Sequence, residues 1–426
     1  MARFRDIVRN RNFSLLWLAQ IISQFGDRLD QMALIALVYR IAPGSTTQMA
    51  KIMAFTIVPV FLIGPIAGVY VGRWDRRRTM VVCDLLRGIL IFLIPLWFIR
   101  MHSLWPVYGI VFLAFSIARF YVPAKMSIIP DLVKGEDLLL ANSLVNTTGM
   151  VAAMFGFGLG GILVGIVGAE GGFVIDAVSF LVSGTMIFLL STKHIRAAKK
   201  ESLVHVGRDI ADVIRKSVLQ EMKEAVVFLK QDPRMSSCFS ILFLLWAALG
   251  AVYVVSIVFV QQAFASVTKE LGLLVVALGL GMFIGSLIYG RLGQNNHRFR
   301  SIFSCVFAVG LILAAFVLTV LHFPSLWLAL PLGFVLGFAV SPIMAIANTM
   351  VQEFTDNAMR GKIFSSMEIV VHLAFLSSMM AAAPLADRVG PVKILLSVSF
   401  LLSVTGLVGF LKTYAQTPGT QRAHAA

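Results

Sequence analysis

Charge is scarce in this chain. Only 13% of its 426 residues are Asp, Glu, Lys or Arg, where an average soluble domain carries ~25%. So little polar surface cannot cover two or three soluble domains of this length. Cysteine is nearly missing too. Cys83, Cys238 and Cys305 stand far apart, which excludes a disulfide framework and offers no zinc-type spacing. The seven histidines are scattered, without the His-Glu-x-x-His pattern of a helical metal site. No Gly-x-x-x-x-Gly-Lys-Ser/Thr loop occurs, so direct ATP drive has no support. No nucleophile–base pair stands out. Neither an enzyme, nor a metal, nor a cofactor is expected.

Apolar residues are abundant instead, at 58% of the chain with a mean hydropathy of +0.88. A membrane-spanning helix needs ~20 mostly apolar residues, and twelve such runs fit between residues 13 and 413. The predicted fold class is an all-α membrane protein of twelve transmembrane helices in two six-helix halves. The net charge of +15 does not point to nucleic acid, because the basic residues cluster in short loops between the apolar runs. With the N-terminus placed in the cytoplasm, 27 Lys and Arg fall inside and six outside, while Arg28, Arg87 and Arg119 lie within spans. That asymmetry places both termini in the cytoplasm. The start of the chain is basic (Arg3, Arg5, Arg9, Arg11), and the apolar run after it is too long for a signal-peptide core. It is read as a retained first span.

Residues 193–236 break the rhythm. They are polar, yet Ile210, Val213, Ile214, Val218, Met222, Ala225 and Leu229 recur at helical spacing. This predicts an amphipathic helix on the cytoplasmic face. The expected organisation is an N-terminal half over 1–192, this linker over 193–236, a C-terminal half over 237–414 and a tail over 415–426. The halves look related. Pro123 is followed nine residues later by Leu132, and Pro342 nine later by Val351, at the same place in each half. Two parallel halves with a site between them near the midplane is a transporter plan.

The first span carries the clearest chemical pattern. Gln20, Gln24, Asp27 and Gln31 follow i, i+4, i+7, i+11 spacing and form one stripe, which Ser23 and Asp30 widen. Asp27 lies about halfway along. An ionised carboxylate there needs a partner or water, and it can exchange a proton as a cavity alternates between wet and closed. The competing reading is a structural ion pair with Arg28 or a distant arginine. In span 11, Glu368 and His372 share a face; Glu368 suits a second proton carrier or a binder of cationic groups, with a partner for a cytoplasmic Arg or Lys as the competing reading, and His372 reads as a cavity group or a hydrogen-bonded helix contact. Asp84 and Arg87 are three apart on span 3 and suited to pair with each other. Asp176, near the outer end of span 6, reads as interfacial. Gly156, Gly158, Gly160 and Gly161 lie inside span 5, so they point to close helix packing rather than a phosphate loop.

The segment Gly68-Val69-Tyr70-Val71-Gly72-Arg73-Trp74-Asp75-Arg76-Arg77-Arg78 resembles the signature loop of the major facilitator superfamily. More narrowly it is similar to the branch of macrolide-type drug and siderophore exporters. Gly26-Asp27, Tyr121-Val122-Pro123-Ala124-Lys125, Pro130-Asp131-Leu132-Val133, Ala141-Asn142 and Phe228-Leu229-Lys230-Gln231-Asp232-Pro233-Arg234 match as well. Two positions depart from the pattern: the signature's aspartate is Gly72 here, and the span-5 glycine motif lacks its proline. The resemblance implies a cytoplasmic gate made of Arg73, Asp75, Arg76 and Arg77, with Asp84, Arg87, Arg119 and Lys125 as further gate groups. Arg78 is left to topology. The expected function is proton-coupled efflux of amphipathic small molecules in a bacterial cytoplasmic membrane, by a monomer in contact with membrane lipids, with sodium as the alternative ion. The competing functions are a lysophospholipid transporter of the same fold and, from another class, a transport-dead receptor or sensor.

Overall fold

The computed structural model describes residues 4–71, 74–101, 103–191, 233–292, 298–353 and 360–415. The predicted amphipathic helix, Arg73 and the tail beyond Ala415 lie outside the described residues. Within them the secondary structure is helical, as lipid demands, because a helix satisfies its own backbone where no water can. Unit one contains α1 (Phe4–Arg9), α2 (Arg11–Ile41), α3 (Thr46–Leu62), α4 (Gly64–Val71), α5 (Arg76–Met101), α6 (Trp105–Leu132) and α7 (Leu138–Phe188). Unit two contains α8 (Pro233–Phe264), α9 (Lys269–Leu292), α10 (Arg298–His322), α11 (Leu326–Glu353), α12 (Arg360–Val389) and α13 (Pro391–Ala415). Two short pieces are exchanged: Gly44–Ala50 packs with unit two, and Val267–Gly272 with unit one.

Among the described residues, nine helices are long and apolar enough to cross a membrane. The count reaches twelve spans for stated physical reasons. Helix α2 carries the polar stripe, which lowers its hydropathy. Span 2 is divided at Ile63, just before Gly64-Pro65, where the proline ring disfavours a continuous helix. Backbone bonds from Ile63 to Pro59 and from Ala67 to Ile63, both 2.9 Å, bridge the break, so it is a bend and not an end. Helix α7 is 51 residues long. Straight, it would measure ~77 Å at 1.5 Å per residue, far beyond the ~30 Å of a bilayer core. It divides at Gly168, whose φ of 77° and ψ of 175° belong to glycine almost alone. Both arms then pack on α2: a Cβ at Gly160 would come within 3.3 Å of Leu29, and one at Gly172 within 2.9 Å of Ala33. The helix therefore folds back as spans 5 and 6.

Each unit has its own core. In unit one, Phe13, Leu16 and Ala19 meet Met80, Tyr121, Ala124, Ile128, Val145 and Ile187. In unit two, Leu242 and Leu245 meet Ile302, Val306, Ile343, Val371 and Leu402. Outward faces stay apolar, as Leu86, Ile89, Phe92, Leu93 and Leu96 of α5 do. In water such a face would be costly, and in hydrocarbon it is the expected one.

Asp387 shows how a helix end is satisfied from outside. It sits in the last turn of α12, where its own helix dipole disfavours a negative charge. Its carboxylate accepts from the Thr46 amide at 2.6 Å and the Thr47 amide at 3.0 Å, at the start of α3. Ser45 Oγ accepts from the Gln48 amide at 3.3 Å. The first three amides of α3 are thus all partnered, two of them by a residue 340 and 341 positions away. Asp387→Ala is expected to cost about 1 kcal/mol, the usual scale for losing a cap. Asp387→Asn, which still accepts, should lose less. Thermal unfolding of the detergent-solubilised variants measures this, and equal midpoints for Ala and wild type would remove the cap from the account.

Candidate substrate and proton site

Unit one contains an open cavity of about 640 Å³. Helix α2 supplies Gln20, Ser23, Gln24, Asp27, Arg28 and Gln31 to its wall. Helix α5 adds Arg87, and α6 adds Phe115, Ala118, Arg119, Tyr121, Val122 and Lys125. The first arm of α7 closes it with Val145, Asn146, Gly149, Met150 and Ala153. Glycine lets that arm approach: a Cβ at Gly149 would lie 3.2 Å from Gln24 Oε1, and one at Gly156 2.9 Å from the Arg28 side chain. Apolar wall and polar stripe face each other, the composition of a small-molecule site.

Asp27 pairs with Arg87 of α5. Its sequence neighbour Arg28 turns away, donating to Gln31 Oε1 at 3.4 Å and stacking over Phe157 at 5.0 Å. The Asp27 side chain keeps 29% exposure, whereas that of Arg87 keeps 6%. The carboxylate thus faces the cavity, and the guanidinium is held behind it against Phe180, 4.1 Å from the ring centre. This corrects the expected Asp84–Arg87 pairing within α5. Asp84 is fully buried and accepts from Ser183 Oγ at 2.7 Å, which frees Arg87 to reach α2. Arg87, Arg119 and Lys125, expected as gate groups, line the cavity.

Asp30 is 2% exposed and does not line the cavity. Asp176 is fully buried within the protein, where Gly26 presents no side chain. A Cβ at Gly26 would overlap Asp176 Oδ1 and Ser179 Oγ.

The signature loop is held within unit one. Asp75 Oδ1 accepts from the Arg78 amide at 2.7 Å and caps α5. Arg76 donates to Asp131 Oδ2 at 2.5 Å and to the Ser127 carbonyl at 2.8 Å. Arg77 donates to the carbonyls of Ile187 and Phe188, orphan acceptors at the C-terminus of α7. Gly158, Gly160 and Gly161 are buried. Gly161 also accepts from Thr268 Oγ1 at 2.8 Å, and a Cβ at Gly272 would lie 3.1 Å from the Gly158 carbonyl. Glu368 and His372 belong to unit two and do not line this cavity. Glu368 is exposed. The His372 ring contacts the Glu368 backbone carbonyl at 2.8 Å and lies 5.5 Å from the Trp246 ring.

The family profile described as Major Facilitator Superfamily matches residues 16–379. The chain belongs to the major facilitator superfamily. It is therefore an integral, multi-pass membrane transporter and not an enzyme. It is similar to macrolide efflux protein A of Streptococcus pyogenes, 22% identical over 390 residues, covering 89% of this chain and 90% of that protein. The multidrug efflux pump Tap of Mycolicibacterium fortuitum is 24% identical over 374 residues, covering 86% and 87%. Among solved structures, a POT family transporter in complex with 5-aminolevulinic acid superposes with a TM-score of 0.71 at 13% identity, over 96% of this chain and 97% of that one. At that identity the likeness speaks for the fold alone.

In this superfamily chain, the sequence did not reveal the burial of Asp176 against Gly26, nor the role of Arg87 as partner of Asp27. The available signal was weak: an acidic residue in an apolar span, followed by Ser179, Ser183 and Gly184 on the same helix.

Proposed function

We propose that this chain is a proton-coupled exporter of amphipathic small molecules that works by alternating access. The observation that carries this reading is the Asp27–Arg87 pair, with its carboxylate on the cavity wall and its guanidinium behind it. Ionised, Asp27 draws a cationic or hydrogen-bonding solute toward the three glutamines beside it. Protonated, it no longer does so and also releases Arg87. Proton and solute then compete for one group, and competition for a site that alternates sides is antiport. The efflux functions of two relatives support the direction of transport. The proposed organisation is two halves over 1–192 and 237–414, joined by a cytoplasmic linker, with both termini cytoplasmic in a bacterial inner membrane.

The test is reconstitution in liposomes with macrolides, siderophores and lysophospholipids offered in turn. A pH gradient should drive accumulation of an amphipathic member of that set. Accumulation driven by a sodium gradient and not by a pH gradient would overturn proton coupling, and lysophospholipid movement without any gradient would overturn coupled export.

The loop arginines take the gate role. A gate residue changes the balance between inward and outward states and leaves the substrate contacts intact. Arg77 bonds two carbonyls, one of the bonds exposed to solvent, so together they are worth about 1.5 kcal/mol, the low end for one hydrogen bond to a charged group. Arg77→Ala is therefore expected to slow flux about tenfold while equilibrium binding is nearly unchanged. Equal losses in flux and binding, at normal expression, would assign Arg77 to the site instead.

A further inference from the structure

Behind the cavity wall lies a second group of acids that the proposed cycle does not use. Asp176 Oδ1 accepts from Ser179 Oγ at 3.1 Å, while Oδ2 has no hydrogen-bond donor. Asp30 Oδ1 has none either. Asp176 is 0% and Asp30 2% exposed, so both carboxyls are shielded from bulk solvent. The Asp176 carboxyl packs on Gly26 of α2, where a Cβ would overlap its Oδ1, and Asp30 stands four residues on, on the same face of that helix. The charges around the pair are few. Helix α2 contributes Asp27, α5 contributes Asp84 and Arg87, and α6 contributes Lys125 at the cavity wall. The neutral polar groups are Ser179 and Ser183 of α7 and Tyr121 of α6. Arg87 is committed to Asp27.

Two buried carboxylates side by side cannot both stay ionised with one guanidinium already engaged. A proton held between them removes one charge and also supplies the missing donor. The packing is arranged for this approach, since any side chain at Gly26 would occupy the space of the Asp176 carboxyl.

We propose that Asp30 and Asp176 form a second proton-binding site behind the cavity, holding one proton between their two carboxyl groups. Asp27 stands one helical turn before Asp30 on α2 and faces the cavity, so it is the group through which that proton is loaded and released. The transfer moves one proton from carboxyl to carboxylate and breaks no other bond. This inference rests on the proton-coupled reading only for its use in transport; the site itself is a property of the resting protein.

The experiment is infrared absorption of protonated carboxyl groups in the purified full-length protein at pH 7, in heavy water, beside flux assays in liposomes. Wild type should show a slowly exchanging protonated-carboxyl band. Asp176→Asn and Asp30→Asn should each lose intensity equivalent to one carboxyl, and Asp27→Asn should keep it. If Asp176→Asn does not fold, Asp30→Asn and wild type still decide. No such band in wild type, or full intensity in both variants, overturns the site. If the band behaves as expected but a pH gradient drives no flux in wild type, the site stands and coupled export falls. If flux is gradient-driven while the band survives both substitutions, export stands and the site falls.

Discussion

Asp27→Asn is expected to insert and fold normally and to lose pH-gradient-driven accumulation. One proton exchanged per solute across one pH unit supports about tenfold accumulation, since 1.4 kcal/mol is a factor of ten. The variant should fall from that value to no accumulation, while downhill exchange of solute persists. Asparagine keeps the size and hydrogen bonding of the aspartate and removes only its titration. Folding survives because Arg87 keeps other anionic neighbours, Asp84 and Asp176 both acting on it. Accumulation is measured in liposomes with the gradient imposed, and exchange with it collapsed. Wild-type accumulation with an unchanged pH profile would move the coupling role to Asp30 or to Glu368.

Removing the other partner should act quite differently. Arg87 is the buried member of the pair and the cation beside Asp27, Asp84 and Asp176 together. In Arg87→Met these carboxylates lose it at once, and the stacking on Phe180 loses its charge. Breaking a buried pair by deleting one member costs about 3–5 kcal/mol, and the low end applies because Asp27 stays partly hydrated by the cavity. The expected result is a clearly lower unfolding midpoint and poor expression. The double variant Asp27→Asn with Arg87→Met should recover part of that loss, because one of the stranded charges is gone. A single Arg87→Met as stable as wild type would mean that the acids around it are already neutral and need no cation.

Periodicity made part of this site legible. Gln20, Gln24, Asp27 and Gln31 share a face because helical spacing puts them there, and they line one cavity. The spans were legible for the same reason, down to the division of α7, where two separate spans were expected and Gly168 supplies the break. The bend at Ile63 was not anticipated, although Gly64-Pro65 marks it. What spacing cannot give is the choice of partner across helices. Arg87 is three residues from Asp84 and 60 from Asp27, yet the distant residue wins, because Ser183 serves Asp84 and the open side of Arg87 faces α2. Asp176 is 150 residues from Gly26, and only packing reveals that the missing side chain of one makes room for the other. Asp387 and the start of α3 meet by the same logic. Spacing put Glu368 and His372 on one face, and it is the packing that sets the His372 ring on the Glu368 backbone carbonyl and beside Trp246.

The central claim is that a proton moves against solute through Asp27. Liposomes carrying a pH-sensitive dye inside, with no pH gradient imposed, test it most directly once the screen has identified a transported compound. An outward gradient of that compound should drive protons inward in wild type, at a rate that rises with the gradient, and should drive none in Asp27→Asn. Flux of the compound through wild type with no accompanying proton movement would contradict the account.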